Sequence, residues 1–352
     1  MKRLIVTLLA GANVCTILAL WAVCASTWLH PALAPKLAQA GLLMPLALAA
    51  NLGFLLLWFI VDFKGLLLPL IGILPVTGFC LDYCPLNFSG KEAPEDSVQT
   101  LRVATFNSCG WQYKDSTDGV WNAPQLLRLL DADILCLQET SSFPAEAQGV
   151  VDSLGYDIRK SKGVMICSRL PFVGDSIPIG FIGSKNGILA WRVRHGEDTL
   201  TVICAHLESN SIPEEEKAAL GERLHAHNEE KLKESGRVML SFLSASAAER
   251  ARQTDRLDSL LTTREGESIV LCGDFNDTPV SYTYRRMKQH LGNTYRESGF
   301  GTGFSYNRTG FWVRIDHIFT SDDWTSFGTR TVREFPSSDH YPVLTTIRKK
   351  NK

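Results

Sequence analysis

The sequence predicts a sheet-based α/β domain, two packed sheets covered by helices, standing behind an apolar amino-terminal part with three membrane-spanning helices. Three observations predict it. Eight short apolar or alternating runs of strand length recur between residues 101 and 347, with helical segments between them. Residues 1–84 hold only six charged side chains: Lys2, Arg3, Lys36, Asp62, Lys64 and Asp82. Polar residues suited to catalysis stand where the apolar runs end.

The whole chain looks ordinary. Its 352 residues are 45% hydrophobic and 21% charged, with a net charge of −1, which excludes a disordered, collagen-like or disulfide-dense chain. The average conceals a division. Of 36 Lys and Arg only four, and of 37 Asp and Glu only two, lie in residues 1–84, so the remainder carries three more acids than bases. That balance argues against a dedicated high-affinity binder of the DNA backbone. Residues 85–352 are long enough for one large domain with its own core.

In the apolar part, Leu4–Leu29 and Leu37–Val61 carry no charge and are long enough to cross a hydrocarbon layer of about 30 Å at about 1.5 Å per residue. Gly65–Leu81 is shorter, but Asp82 lies just beyond it and Tyr83 suits the interface. Pro45, Pro69 and Pro75 are tolerated near helix ends or between packed neighbours in lipid. Asp62-Phe63-Lys64-Gly65 then makes a tight hairpin. Lys2-Arg3 before an apolar run also opens a cleaved signal peptide, yet that reading leaves two further uncharged stretches without explanation. The basic start favours a cytoplasmic amino terminus, so three crossings place the soluble domain outside. The linker, residues 85–99, is net acidic, which fits. The nine cysteines form no framework and no CxxC pair. Cys109, Cys136, Cys167, Cys204 and Cys272 lie in or beside apolar runs and read as packing residues, as do Cys80 and Cys84.

Beyond the linker the expected strands are Leu101–Phe106, Ile134–Leu137, Val164–Cys167, Leu189–Val193, Leu200–Ala205, Ile269–Cys272, Ile315–Phe319 and Pro342–Ile347. Pro124–Leu130 and Ala145–Leu154 read as helices. An insertion at 211–262 is polar and rich in helix formers, with Glu214-Glu215-Glu216 after Pro213 marking a helix start. Gly236 is expected to divide it into helices at 213–234 and 244–262, a solvated insertion rather than a substrate lid. No solenoid repeat occurs, and Arg348–Lys352 is a basic tail.

The chemistry collects at strand ends. Asn107, Glu139, His206, Asp274 with Asn276, Asp316-His317 and Asp339-His340 each follow, open or precede an apolar run. Phosphate ester hydrolysis needs a hard cation held by oxygen ligands, a group to activate water, and donors for charge on the phosphoryl oxygens. Glu139, Asp274, Asp316 and Asp339 supply carboxylates; Asn107, Asn276, His206 and His340 supply donors.

In order, Thr105-Phe106-Asn107, Leu137-Gln138-Glu139, Ala205-His206-Leu207, Gly273-Asp274-Phe275-Asn276, Arg314-Ile315-Asp316-His317 and Ser338-Asp339-His340-Tyr341-Pro342 resemble the motifs of the endonuclease/exonuclease/phosphatase superfamily. The resemblance covers about residues 100–348 and implies a four-layer α/β sandwich with two central sheets flanked by helices. It also implies a divalent-metal phosphoesterase using Mg²⁺, with Mn²⁺ as the alternative ion. Carried over position by position, Glu139 is the principal metal ligand, Asn107 positions metal and phosphate, and Asp339 is a second metal-site carboxylate. Asp274 orients or deprotonates the attacking water, and Asn276 bonds a phosphate oxygen. His340 donates to the scissile phosphate, held cationic by Asp316. His206 contacts the phosphate or leaving group. His317 stands where the family often has Tyr and reads as structural. The spans, the helical insertion after Ala205-His206-Leu207-Glu208-Ser209 and the run Gly273–Tyr284 look like a bacterial membrane-anchored branch, frequent in the Bacteroidetes.

The expected function is therefore a membrane-anchored metal-dependent phosphodiesterase or phosphatase working by in-line attack of water. Its partners are the bilayer and a phosphate ester, whether a lipid headgroup, a small phosphorylated molecule or nucleic acid, with no obligate protein partner. A metal-dependent nuclease is the alternative, supported by the basic groups Arg159-Lys160-Ser161-Lys162 and Arg285-Arg286 and opposed by the acidic balance. A catalytically inactive membrane scaffold would have lost at least one of Glu139, Asp274, Asn276 and His340, and none is lost. A transporter would need paired intramembrane charges, which the spans lack.

Overall fold

A computed structural model of the chain describes residues 2–88, 100–111, 122–179, 186–210, 229–308, 311–334 and 336–350. It divides into two compact units, one within Met1–Tyr83, Ser209–Arg252 and Thr278–Arg285, the other within Cys84–Glu208, Gln253–Asp277 and Arg286–Lys352.

In the first unit Arg3–Trp28, Pro35–Val61 and Phe63–Tyr83 are helical and long and apolar enough to cross a membrane, with mean hydropathies of 2.1, 2.1 and 1.8. The turn expected at Asp62–Gly65 forms for local reasons. Asp62 is extended, the Lys64 N–H donates to its Oδ1 (3.1 Å) and the Gly65 N–H to its carbonyl (2.8 Å). A Cβ on Gly65 would run into the Trp58 ring, 2.1 Å away. Polar groups tie the helices together: Trp58 Nε1 donates to Asn13 Oδ1 (2.9 Å), and Asn51 Nδ2 donates to the Thr16 and Ala47 carbonyls. Such bonds help hold helices in lipid, where packing has no water-driven term between apolar surfaces.

The second unit contains β1 (Thr100–Asn107), β2 (Ile134–Gln138), β3 (Asp157–Ser161), β4 (Val164–Ser168), β5 (Phe172–Ile177), β6 (Ile188–His195) and β7 (Asp198–His206). After the helical segment come β8 (Ile269–Asp274), β9 (Gly292–Asn293), β10 (Tyr306–Arg308), β11 (Phe311–Val313), β12 (Asp316–Thr320), β13 (Trp324–Thr331) and β14 (Val343–Lys349). One six-stranded sheet has the order β13-β14-β1-β2-β4-β3, a second β5-β6-β7-β8-β12-β9, and β10-β11 is a separate hairpin. β1 and β2 run parallel, as do β7 and β8; the other pairs in both sheets are antiparallel. This is the expected α/β sandwich with two central sheets.

Period-two alternation builds it. Leu101, Val103, Ile134, Cys136, Val202, Cys204, Val270, Cys272 and Ile318 share one core cluster drawn from both sheets. Their strand neighbours Ala104, Phe106, Leu135 and Leu137 pack instead with Leu126, Leu127 and Leu130 of the helix Ala123–Leu130 and Val150 and Val151 of Gln148–Leu154.

The helical insertion differs from expectation. One helix runs from Glu229 to Thr262 and passes through Gly236 without a break. Glycine inside a helix costs about 1 kcal/mol relative to Ala, too little to stop a long run of good helix formers. Residues 213–228 of the expected first helix lie outside the described residues. The strands that alternation did not reveal include β3, β13, β5 and β9, the four sheet edges, where an exposed side tolerates polar residues. The basic groups read as nuclease features are engaged locally. Arg159 pairs with Asp157 and stacks on Phe172, Lys160 donates to the Ser141 carbonyl, and Arg286 pairs with Asp258.

Candidate active site

The inter-sheet stripes end in polar residues. Val103 leads through Thr105 to Asn107, Val202 and Cys204 to His206, and Val270 and Cys272 to Asp274. β12 runs antiparallel to β8 and begins with Asp316 directly opposite Asp274. β1, β7 and β8 therefore deliver their last inward-facing side chain, and β12 its first, to one end of the sandwich. Gly273 is required for this convergence: a Cβ there would lie 1.8 Å from the Ala205 carbonyl oxygen of β7.

Asn107 Nδ2 donates to Glu139 Oε1 and to Asp274 Oδ2, both at 3.0 Å. Its Oδ1 accepts from the Cys109 N–H (3.0 Å), which fixes the amide's orientation. Asp274 Oδ1 accepts from the Asn276 N–H (2.8 Å), while Asn276 Nδ2 donates to the Leu207 carbonyl (3.1 Å). His206 Nε2 is buried with no hydrogen-bond partner among the described residues, with Glu139 Oε1 at 3.6 Å and Asp274 Oδ2 at 3.7 Å. His340 Nδ1 lies 2.8 Å from Asp316 Oδ2, and its Nε2 is 3.8 Å from Asp274 Oδ2. Glu139 and Asn276 both have positive φ, 54° and 50°, a conformation costly for residues other than glycine. It is held at Glu139 by the Gly110 N–H donating to its carbonyl (2.8 Å).

Two of the carboxylates, Asp274 and Asp316, are only 1% exposed. Burial raises the Asp316 carboxyl and Asp274 raises it further, against the pull of His340. For His340, burial opposes the charge but Asp316 and then Asp274 outweigh it, holding the ring cationic up to about 10. The pair thus shares one proton, and it sits on His340, whose far nitrogen faces the second carboxylate.

Side-chain atoms of Asp274, Asp316 and His340 lie within 4.8 Å of one another, and with His340 protonated the two carboxylates are the ones able to ligate a cation. Asp274, Asp316 and Glu139 against one imidazolium leave an excess of two negative charges among hard oxygen donors. Buried like charges require compensation, and a divalent cation supplies it, so the donor set fits a hard metal ion.

Of the expected residues, Asn107, Glu139, His206, Asp274, Asp316 and His340 thus converge, with Asn276 bonded to the Asp274 carboxylate. Asp339 makes different bonds. Its Oδ2 accepts from Arg308 Nε (3.2 Å) on β10, and its Oδ1 accepts from Ser338 Oγ (3.2 Å). His317 is buried, donates from Nε2 to the Asp277 carbonyl (3.1 Å) and packs against Phe275 and Phe319, a structural role.

Sequence reasoning missed several neighbours. Ser305 Oγ accepts from both the Ile315 and Asp316 N–H groups, and Tyr306 sets its ring 5.0 Å from that of His340. Cys109, read as packing, faces the site: burial, then Asp339 and Glu139, push its thiol up to about 12. It belongs to a turn in which Cys109, Gly110 and Trp111 all have positive φ. Of these only Gly110 left a sequence signal.

Residues 4–83 match a family model described as a domain of unknown function (DUF8431). Among curated proteins none matches the chain. Among solved structures it is similar to an endonuclease/exonuclease/phosphatase from Beutenbergia cavernae DSM 12333, at 17% identity over 72% of each chain with a TM-score of 0.47. It is similar to an endonuclease/exonuclease/phosphatase family protein from Leptotrichia buccalis C-1013-b at 15% identity, covering 70% of this chain and 99% of that one, with a TM-score of 0.49. The human Nocturnin catalytic domain with bound sulfate is 16% identical over 72% of this chain and 94% of its own, with a TM-score of 0.47. The family model described as endonuclease/exonuclease/phosphatase matches residues 109–340, most of the chain, and the chain belongs to that family.

Proposed function

We propose that the protein is a membrane-anchored, divalent-metal-dependent phosphoesterase that hydrolyses a phosphodiester or phosphomonoester by in-line attack of water. The observation that carries this reading is the knot in which Asn107 Nδ2 reaches Glu139 and Asp274 at 3.0 Å while His340 is locked to Asp316 at 2.8 Å. Glu139 with Asn107 would hold Mg²⁺, or Mn²⁺ in its place, Asp339 joining them by exchanging its bond with Arg308 for the ion, and the ion would supply Lewis-acid stabilisation of charge on the phosphoryl oxygens.

The protein's own groups do the rest. Asp274 is fixed by bonds from Asn107 and the Asn276 N–H, so its carboxylate is oriented to take a proton from the attacking water. Asp316 consumes the Nδ1 hydrogen of His340 and leaves Nε2–H as the donor to a phosphoryl oxygen. His206 Nε2, buried and with no hydrogen-bond partner among the described residues, would bond the phosphate or leaving group. Asn276 keeps one amide hydrogen beyond its bond to Leu207. The site faces the outside of the bacterial inner membrane, because Lys2 and Arg3 favour a cytoplasmic amino terminus and three crossings follow.

The test is hydrolysis of bis-p-nitrophenyl phosphate, phospholipids, inositol phosphates and single- and double-stranded DNA by the purified chain with Mg²⁺. At least one is cleaved, and chelator, Asp274→Ala or His340→Ala abolishes the cleavage. Chelator-insensitive activity, or full activity in both variants, overturns the mechanism. A reporter fused after Lys352 that is active only in the cytoplasm overturns the orientation.

A further inference from the structure

We infer that Arg308 is a phosphate-binding residue which Asp339 holds until a cation takes the carboxylate, so that metal and phosphate bind cooperatively. The inference rests on the phosphoesterase reading above for what the site binds, and it names the residue that couples the two ligands.

Arg308 ends β10, within the same compact unit as Glu139, Asp339 and His340. That strand does more than pair with β11. The Asn307 N–H donates to the Asp339 carbonyl (3.0 Å), the Tyr341 N–H donates to the Ser305 carbonyl (2.6 Å), and Tyr306 bridges to His340. Backbone bonds thus stitch β10 to the segment that carries Asp339 and His340. Residues two apart in a strand share a face, so Arg308 stands on the face of Tyr306. Tyr306 sets its ring edge-on to that of His340, with centres 5.0 Å apart, and Arg308 Nε reaches Asp339 Oδ2 at 3.2 Å. The guanidinium is therefore rooted beside the catalytic imidazole by main-chain hydrogen bonds.

The ion pair is suited to exchange. The side chains of Arg308 and Asp339 are 41% and 16% exposed, and a pair within reach of water is weak enough to be traded for a stronger partner. The metal carboxylate is close by. After burial, Asp339 and Glu139 raise the Cys109 thiol and Arg308 lowers it, so all three charges lie around one side chain. The rim at Glu139 is open, its side chain 42% exposed, so an ion can enter from solvent.

Charge sets the order of events. While Arg308 offsets Asp339, the carboxylates of Asp274, Asp316 and Glu139 outweigh the His340 imidazolium, and the site repels an anion. The excess suits one divalent cation, and Asp339 joins its oxygen ligands by giving up Arg308. The guanidinium then takes another anion at the same rim. A phosphoryl group fits it, because two of its oxygens match the guanidinium fork. His340 is buried and locked to Asp316, so Arg308 is the cation able to move between the two partners. Each ligand therefore strengthens the other, by the same factor in both directions.

The experiment titrates the full chain in detergent micelles with Mg²⁺, with and without inorganic phosphate, and reads half-saturation from the rise in melting temperature. In the wild type, saturating phosphate lowers the half-saturating Mg²⁺ concentration by about tenfold or more. Arg308→Gln cuts that effect to about threefold or less, the part due to direct contact between ion and phosphate. Without phosphate the same variant binds Mg²⁺ about threefold more tightly, because Asp339 is no longer held. This gain disappears when Arg308→Gln is made in an Asp339→Asn background, whereas a mere loss of nearby positive charge would preserve it. The KM for bis-p-nitrophenyl phosphate rises about tenfold in Arg308→Gln while kcat stays within about threefold. Cooperative melting of the metal-free variants shows that they fold. An equal effect of phosphate in wild type and Arg308→Gln, weaker Mg²⁺ binding by that variant, or a gain that persists in the Asp339→Asn background overturns the inference and leaves the phosphoesterase reading standing. Absence of chelator-sensitive hydrolysis of every substrate, with the Mg²⁺–phosphate coupling intact, overturns that reading and leaves the coupling through Arg308 standing.

Discussion

Replacing Asp316 by Asn tests the charge assigned to His340. The variant keeps an oxygen for His340 Nδ1, at 2.8 Å in the wild type, and removes only the negative charge. Opposite charges with centres about 4 Å apart at an effective dielectric near 20 attract by about 4 kcal/mol, equivalent to about three pKa units. His340, held cationic up to about 10, would then titrate near 7, because burial opposes its charge and Asp274, at 3.8 Å, and Asp339 remain to support it. The sign is fixed. A histidine whose folded pKa is raised contributes stability that is complete below about 6.5 and lost as pH rises through about 10, and the same protonated form is the one that donates to phosphate. Rates of bis-p-nitrophenyl phosphate hydrolysis, taken with Mg²⁺ from pH 6 to 10, should show the alkaline limb moving from near 10 in the wild type to near 7 in the variant. At pH 8, about one unit above the variant's titration, only about a tenth of the molecules keep the donating proton, so the loss should be about tenfold. An unchanged alkaline limb, or a variant within about threefold of wild type at pH 8, would refute the ion-pair reasoning.

Other outcomes follow from the same structure. Millimolar Mg²⁺ should raise the melting temperature of chelator-treated protein, because it relieves the excess negative charge around Asp274 and Asp316, and Glu139→Gln should abolish most of that rise in a thermal-shift measurement. Gly273→Ala, with a Cβ 1.8 Å from the Ala205 oxygen, should force β7 and β8 apart and destabilise by about 3 kcal/mol or more in chemical denaturation, with loss of activity. Burial and the nearby Arg314 hold His317 neutral down to about 3, so the stability it contributes is present above about 6.5 and falls as pH drops from there toward 3. His317→Phe, fitting between Phe275 and Phe319, should flatten that acid dependence in pH-resolved melting curves.

The strands at the centre of each sheet were legible because alternation with both faces buried leaves a pattern: Leu101, Val103 and Leu135, Leu137 alternate as packing requires. The four edges were not, because a strand with one open side selects no comparable pattern. Gly236 misled for the opposite reason. A local propensity of about 1 kcal/mol was set against a helix stabilised along 34 residues, and it lost.

The sequence by itself determined the division into an apolar part and a slightly acidic domain, the fold class and the residues at the strand ends. These follow from hydrophobic period, charge distribution and motif order, all local properties of the chain. Only the tertiary structure decided which of those residues meet. It set Asp316 opposite Asp274 by strand register, gave Asn107 two carboxylates to bridge, left Asp339 bonded to Arg308, and brought Cys109 and Ser305 to the site. It also grouped Thr278–Arg285 with the apolar amino-terminal helices in one compact unit, far from them in the chain. Charge balance and proton position arise from separations of a few ångströms between residues far apart in the chain, and no local pattern encodes those distances.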